Sequence, residues 1–201
     1  MNPLIFIPKV RDIPEVMNSY SKLDYDKLVI ENHQEVEAYQ MAKEYCKLKG
    51  YTHLVLCPDD LVIDYDSFNL LKKDMEDYYI TNIAGICNFS ERGSTKLACK
   101  GSNYDWLYEK DLPDEIFAAS FTGFSCQWIS ADILDYLSFT GNCTGGRGCL
   151  DSVFANEILN NGDTLWVDPN ARFKHLSNTQ RQELREWKKG KTKREKSVYL
   201  L

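Results

Sequence analysis

The chain has no apolar run that could cross a bilayer. Its longest such runs, residues 4–7 and 54–57 among them, span four residues against the roughly 20 that a membrane helix needs. No cationic leader or cleavage site precedes the first strand-like segment, so neither secretion nor membrane insertion is expected, and the expected location is cytoplasmic. Seven cysteines are scattered at positions 46, 57, 87, 99, 126, 143 and 149 with no Cys-x-x-Cys pair, which argues against a zinc ribbon. Most lie in apolar runs and read as buried small hydrophobes, although a few could pair in a hyperthermophilic host. The glycine-rich stretch at 140–150 lacks the Gly-Lys-Ser/Thr ending of a P-loop and follows a helix rather than a strand, so that phosphate cradle is excluded. There is no internal repeat and no low-complexity block.

What remains is 201 residues of 43% hydrophobic content, enough for one α/β domain with a real core and short for two. The net charge of −6 hides an asymmetry. Residues 179–201 hold eight Lys or Arg against three Glu, so a tail of +5 follows a remainder of −11. Such a tail is chiefly a solvated feature. Peripheral contact with an anionic membrane is the binding role open to it, and nucleic acid is not the expected partner.

Apolar runs and helical spacings alternate along the chain. Residues 4–10 and 27–31 read as buried strands, with Pro14 at a helix start between them. Asn32 followed by Glu35 signals the next helix, on which Val36, Tyr39, Ala42 and Cys46 share a face until Gly50 stops it. A strand over 52–57 then delivers Asp59 and Asp60. A helix over 67–78 and a strand over 80–87 complete the doubly wound rhythm of a parallel sheet covered on both faces. Residues 88–119 read as short strands and loops. Residues 121–130 read as a strand with Phe124, Cys126 and Trp128 on one side, and 131–137 as a helix. Asp151 closes the glycine-rich loop and opens a helix to about residue 160. Asp168-Pro169-Asn170 reads as a turn between strand pieces 165–167 and 171–174, and 177–190 as a last helix with Leu184 and Trp187 on one face.

Two adjacent carboxylates at the carboxyl end of a strand stand where open α/β sheets hold ligands, so Asp59 and Asp60 are candidates for handling a divalent cation or a phosphate. Pro-Asp-Asp is equally good turn chemistry. His175, directly after the last strand piece, is a candidate ligand, with a half-buried strand-end histidine as the alternative. Asp151 is suited to capping its helix. Pro8 and Lys9 end the first strand near where a nucleotide would rest. Glu31 could accept hydrogen bonds from a base or ribose, or with Asn32 simply begin the next helix. Arg147 is available to phosphate, and the rings of Trp106 and Trp128 either stack on a bound ligand or belong to the core.

The order of these segments resembles the glycosyltransferases of the GT-A fold, especially the inverting enzymes of family 2, over nearly the whole chain. Four segments carry the resemblance. Val29-Ile30-Glu31-Asn32 is similar to the second-strand end that contacts the donor nucleotide, and Leu54-Val-Leu-Cys-Pro-Asp-Asp-Leu-Val-Ile63 to the strand ending in the Asp-x-Asp motif. Gly123-Phe-Ser-Cys-Gln-Trp-Ile-Ser130 with Gly148-Cys-Leu-Asp151 is similar to the acceptor-side strand and the loop ending in the catalytic carboxylate. Trp166 through His175 is similar to the closing strand pair with a histidine near the metal. The length and the opening Met-Asn-Pro-Leu-Ile-Phe-Ile-Pro also resemble small archaeal-virus proteins of this kind, for which the location would be the host cytoplasm.

The resemblance implies a single-domain α/β GT-A fold with a mostly parallel central sheet and helices on both faces. It divides the chain into a catalytic domain at 1–178 and a basic helix and tail at 179–201. It also implies a hexosyltransferase-like reaction, inverting in the family's manner, that moves a sugar from a nucleotide-diphosphate donor to a hydroxyl of a glycan, protein or lipid acceptor. Asp151 is the implied base, Asp60 and His175 the ligands of Mn²⁺ or Mg²⁺, and Pro8, Lys9, Glu31, Asp59 and Asp60 the donor contacts. Two departures stand out: Pro58 occupies the place of the motif's first Asp, and Leu150-Asp151 replaces an acidic pair. The alternatives are a nucleotidyltransferase of related fold, disfavoured because Pro8-Lys9-Val10-Arg11 has no glycine, a non-catalytic binding or assembly protein using the basic tail, and a degenerate transferase that binds without reacting.

Overall fold

The structure, a computed structural model, describes residues 1–88, 96–141, 149–176 and 181–201. It opens with strand β1 (Pro3–Lys9), helix α1 (Pro14–Ser21), strand β2 (Lys27–Glu31), helix α2 (Glu35–Lys49) and strand β3 (His53–Leu56). There follow β4 (Leu61–Val62), α3 (Tyr65–Tyr78), β5 (Asn82–Cys87), β6 (Lys96–Gly101), β7 (Trp106–Tyr108), β8 (Phe117–Thr122) and β9 (Gln127–Ser130). A 3-10 turn at Ala131–Tyr136, α4 (Leu150–Asn160), β10 (Leu165–His175), α5 (Arg181–Lys188) and β11 (Ser197–Leu200) complete the chain. Among the described residues no helix is long and apolar enough to cross a membrane.

One sheet organises these elements in the order β11-β2-β1-β3-β9-β5-β10-β8-β6-β7, with β4 attached to β10. β1, β2 and β3 are buried on both faces, which is why they read as unbroken apolar runs rather than alternating ones. Leu4, Phe6, Leu28, Ile30, Leu54 and Leu56 face α2, α4 and the 3-10 turn. Ile5, Ile7, Val29, Val55 and Cys57 face α1 and α3 on the other side. Helices therefore cover both faces, as expected.

The sheet is mixed rather than mostly parallel. β2, β1 and β3 pair in parallel, as do β5 and β10. β9 is inserted antiparallel between β3 and β5, and β8 runs antiparallel to β10. The cause is a turn at residues 123–126 where a single strand was expected. Phe124 and Cys126 there adopt φ of 55° and 56°, breaking the strand so that β8 and β9, which keep the same direction, flank the pair β5 and β10. Phe124 consequently joins the α2–α4 side, while Cys126 and Trp128 face α1 and α3.

Smaller differences have equally local causes. Helix α2 begins with Gln34 at its cap and no side-chain capping bond; Asn32 instead takes a left-handed φ of 58° and donates to the Glu195 carbonyl. Gly50 ends α2 with φ of 73°, as its place in the sequence predicts. Residues 131–136 form a 3-10 rather than an α-helix. Asp168-Pro169-Asn170 is no turn: β10 runs through it by a register shift between Val167 and Arg172, the irregularity that lets a strand carry proline. Gly85 permits that close pairing, since a Cβ there would lie 2.6 Å from the Ala171 carbonyl oxygen.

The basic tail does more than trail into solvent. β11 pairs antiparallel with β2, and its register places Val198 opposite Ile30 at the sheet edge. Cys46, Cys57, Cys87, Cys99 and Cys126 are buried free thiols and Cys149 is free and half-buried; Cys143 lies outside the described residues.

Candidate active site

The carboxyl ends of β1, β3, β5 and β10 open into a cleft of about 480 Å³. Pro8, Arg11, Asp59, Asp60, Asp151 and His175 all line it, with Glu35 and Tyr39 of α2 on one wall and Leu184, Trp187 and Lys188 of α5 on another. Three residues far apart in sequence, Asp60, Asp151 and His175, thus share one space.

Strand pairing explains how Asp60 and His175 meet. The chain turns sharply after Asp60 into β4, whose Leu61 and Val62 pair with His175 and Lys174 of β10. The Leu176 N–H donates to the Asp60 carbonyl at 2.7 Å and locks the junction. His175 Nε2 then lies 3.1 Å from Asp60 Oδ2, while its Nδ1 is buried without a hydrogen-bond partner.

Arg11 is the residue that sequence reasoning missed. Asp59, 2% exposed, accepts the Val10 and Arg11 backbone N–H groups on Oδ2, each at 2.6 Å. Its Oδ1 takes the Arg11 side chain, with Nε at 2.8 Å and Nη2 at 2.5 Å. The remaining arm, Nη1, reaches Asp60 Oδ2 at 2.5 Å. Burial alone would push the Asp60 carboxyl up, but the His175 hydrogen bond and the Arg11 charge outweigh it and hold it below its ordinary value. The signal lay in register: Phe6 pairs with Leu56, so the residues just beyond both strands had to meet.

Asp151 stands in the first turn of α4, not at its cap, which is Cys149 with no side-chain capping bond. Leu150, Phe154, Ala155 and Ile158 anchor the helix in the core, fixing the carboxylate at the cleft. Its Oδ1 accepts the adjacent Ser152 N–H at 2.8 Å. Burial, joined by the charge of Glu35, raises its pKa, which makes its carboxylate a better proton acceptor.

Lys9 and Glu31 are not brought to the cleft. They are register neighbours on β1 and β2 and pair with each other at 3.1 Å, and Glu31 also accepts from Ser197 of β11 at 3.0 Å. Trp128 is fully buried against Phe68, so it cannot stack on an acceptor. Trp106 packs edge-on to Phe121 with Lys96 and Lys100 over its ring. Arg147 and most of the glycine-rich loop lie outside the described residues.

No family model matches the chain, and no curated protein matches it in sequence. Solved structures do match. A197 from STIV aligns over 84% of this chain and 82% of its own, at 16% identity and a TM-score of 0.60. TarS 1–349 of S. aureus aligns over 88% of this chain at 12% identity and a TM-score of 0.55, and GalNAc-T7, solved with UDP, GalNAc and Mn²⁺, over 87% at 15% and 0.53. This is the GT-A fold. The chain spans 61% of that TarS chain and 37% of that GalNAc-T7 chain, so it is similar to part of each.

The acid pair Asp59-Asp60 lies just beyond β3, at the carboxyl end of that strand. Among the described residues no group of three or more His, Cys, Asp and Glu side chains is arranged to hold a metal. Two donors do fit. Ligands about 2.1 Å from an octahedral ion and at right angles to each other stand about 3.0 Å apart, close to the 3.1 Å between Asp60 Oδ2 and His175 Nε2. A bound diphosphate and water would have to fill the other positions.

A second cavity of about 600 Å³ lies between α3 and β10, lined by Asp74, Asp168 and Trp166 among others. Asp74 is 6% exposed with its Oδ2 buried and unpartnered, beside Asp168, which accepts the Asn170 N–H at 2.8 Å. Burial first, and then the neighbouring Asp168, favour the protonated form of Asp74 and push its carboxyl up to about 7.

Proposed function

We propose that the chain is a glycosyltransferase that moves a hexose from a nucleoside-diphosphate sugar to an acceptor hydroxyl with inversion. The observation that carries this reading is the meeting of Asp60, Asp151 and His175 in one cleft at the carboxyl ends of the strands of a GT-A fold. The similarity to GalNAc-T7 solved with UDP, GalNAc and Mn²⁺ supports the same class of donor and cation.

Asp151 acts as general base. It takes the proton of the acceptor hydroxyl as that oxygen bonds to the anomeric carbon; the bond from that carbon to the diphosphate breaks, and its electron pair leaves with the nucleoside diphosphate. Attack opposite the leaving group inverts the anomeric centre. Asp60 and His175 would hold a Mn²⁺ or Mg²⁺ ion, which when bound neutralises charge on the departing diphosphate. Asp59 braces the loop after β1 instead of touching donor. Pro8, Tyr39, and Trp187 and Lys188 of α5 line the same cleft and would border the bound donor.

The test pairs binding with turnover. Nucleotide sugars are screened by thermal shift with and without Mn²⁺, since a ligand of the folded state raises its Tm. Asp60→Asn is expected to lose metal-dependent donor binding. Asp151→Asn is expected to keep donor binding and lose about 10²–10⁴-fold in transfer rate. The parent's rate should fall on the acid side of the raised Asp151 pKa, where the base is protonated. Transfer by Asp151→Asn at the parent's rate would remove the base assignment.

A further inference from the structure

We infer that Arg11 is the internal counter-cation of the acid pair, and that a diphosphate must draw its guanidinium from Asp60 before that carboxylate can ligate a divalent cation. The inference rests on the transferase reading for the identity of the diphosphate.

Asp59 and Asp60 are adjacent and almost wholly buried, at 2% and 6% exposure. Two neighbouring carboxylates persist as anions in such a place only beside a cation. Arg11 supplies it, but unequally. Asp59 is held by two backbone N–H groups and by two nitrogens of the side chain, whereas Asp60 is held by Nη1 alone and by His175. The guanidinium can therefore release Asp60 while still tied to Asp59, swinging about the stronger attachment.

Asp60 Oδ2 is the atom that both cations need. An ion about 2.1 Å from it would stand within about 5 Å of Nη1, where a doubly charged ion and a guanidinium repel strongly. An anion that takes Nη1 removes the conflict. Arg11 lines the cleft, and its planar fork of donors matches two phosphate oxygens. Cation and diphosphate then bind together or poorly.

Mn²⁺ affinity of the full chain, read from the electron paramagnetic resonance of the free ion, tests this without turnover. Arg11→Gln is expected to bind Mn²⁺ alone at least about tenfold more tightly than the parent, and Asp60→Asn added to it should abolish the gain. The parent should tighten on Mn²⁺ when given whichever of UDP, GDP, CDP or dTDP raises its Tm, and Arg11→Gln should tighten about tenfold less. Arg11→Lys, which keeps a charge beside both acids, is the folded control and should fall between the two. Equal Mn²⁺ affinity of parent, Arg11→Lys and Arg11→Gln overturns the inference, as does a gain that survives Asp60→Asn. If Arg11→Gln gains Mn²⁺ affinity but none of the four diphosphates binds the parent, the diphosphate half and the transferase reading fall together.

Discussion

The substitution Asp74→Asn should make the protein more stable than the parent at pH 8 while barely changing it at low pH. Asp74 lies on the buried side of α3 against Asp168, and burial, followed by the hydrogen bond and charge of Asp168, pushes its pKa up to about 7 from 3.8. A carboxyl raised in the folded state binds a proton that the unfolded chain gives up. Its stabilising contribution is complete below about pH 4 and is lost as pH climbs through 7. The full span corresponds to a ceiling of about 4 kcal/mol; water in the adjoining cavity screens the pair, so about 1–2 kcal/mol is the expected loss. The introduced amide is neutral like the protonated acid, with no proton to lose. For a chain of this length that loss corresponds to a Tm difference of about 3–6 °C between variant and parent, opening from pH 5 to pH 8. Melting curves of both proteins at four pH values and fixed ionic strength measure it, and the shared background from Asp60 and other groups cancels in the difference. A gap that stays constant across that range, or a variant less stable than the parent at pH 8, would refute the raised Asp74 carboxyl.

Two further outcomes separate structural from chemical roles. Asp59→Asn should destabilise the fold by about 3–5 kcal/mol, because it leaves the Arg11 guanidinium short of its main partner, and urea unfolding should show it whether or not donor is present. Gly85→Ala should cost about 1–3 kcal/mol or prevent folding, since its Cβ would meet the Phe173 ring at 2.3 Å and the Ala171 carbonyl oxygen at 2.6 Å; a fully stable Gly85→Ala protein would mean that β5 and β10 pair less closely than described.

The central strands and α2 were readable because their signals are local. Burial on both faces writes unbroken apolar runs, and a glycine after the last helical turn writes a stop. The turn that divides β8 from β9 was hidden because it uses Phe124 and Cys126 at positive φ, where glycine or asparagine would have announced it. β10 was cut in two on paper by Pro169, whose composition says turn while pairing with β5 and β8 says strand. β11 was submerged in the charge of its surroundings, since four residues become a strand only when β2 offers an edge. The cleft divides the same way. Asp59, Asp60, Asp151 and His175 were visible as residue types at strand or helix ends, but Arg11 gains meaning only from its contact with an acid pair 48 and 49 positions away. Lys9 and Glu31 show the converse: apparent donor contacts that neighbouring strands consume.

The seam between β11 and β2 changes how the basic tail can be probed. Trimming residues 191–201 would remove positive charge, but it would also unzip a row of hydrogen bonds that runs on to the mutual pair between Lys27 and Leu201. The bared margin of β2 would then be free to recruit another molecule's backbone, and clumping or altered sedimentation could be mistaken for a lost electrostatic function. Neutralising the exposed Lys191 and Lys193 as glutamine keeps that margin covered and isolates charge from architecture.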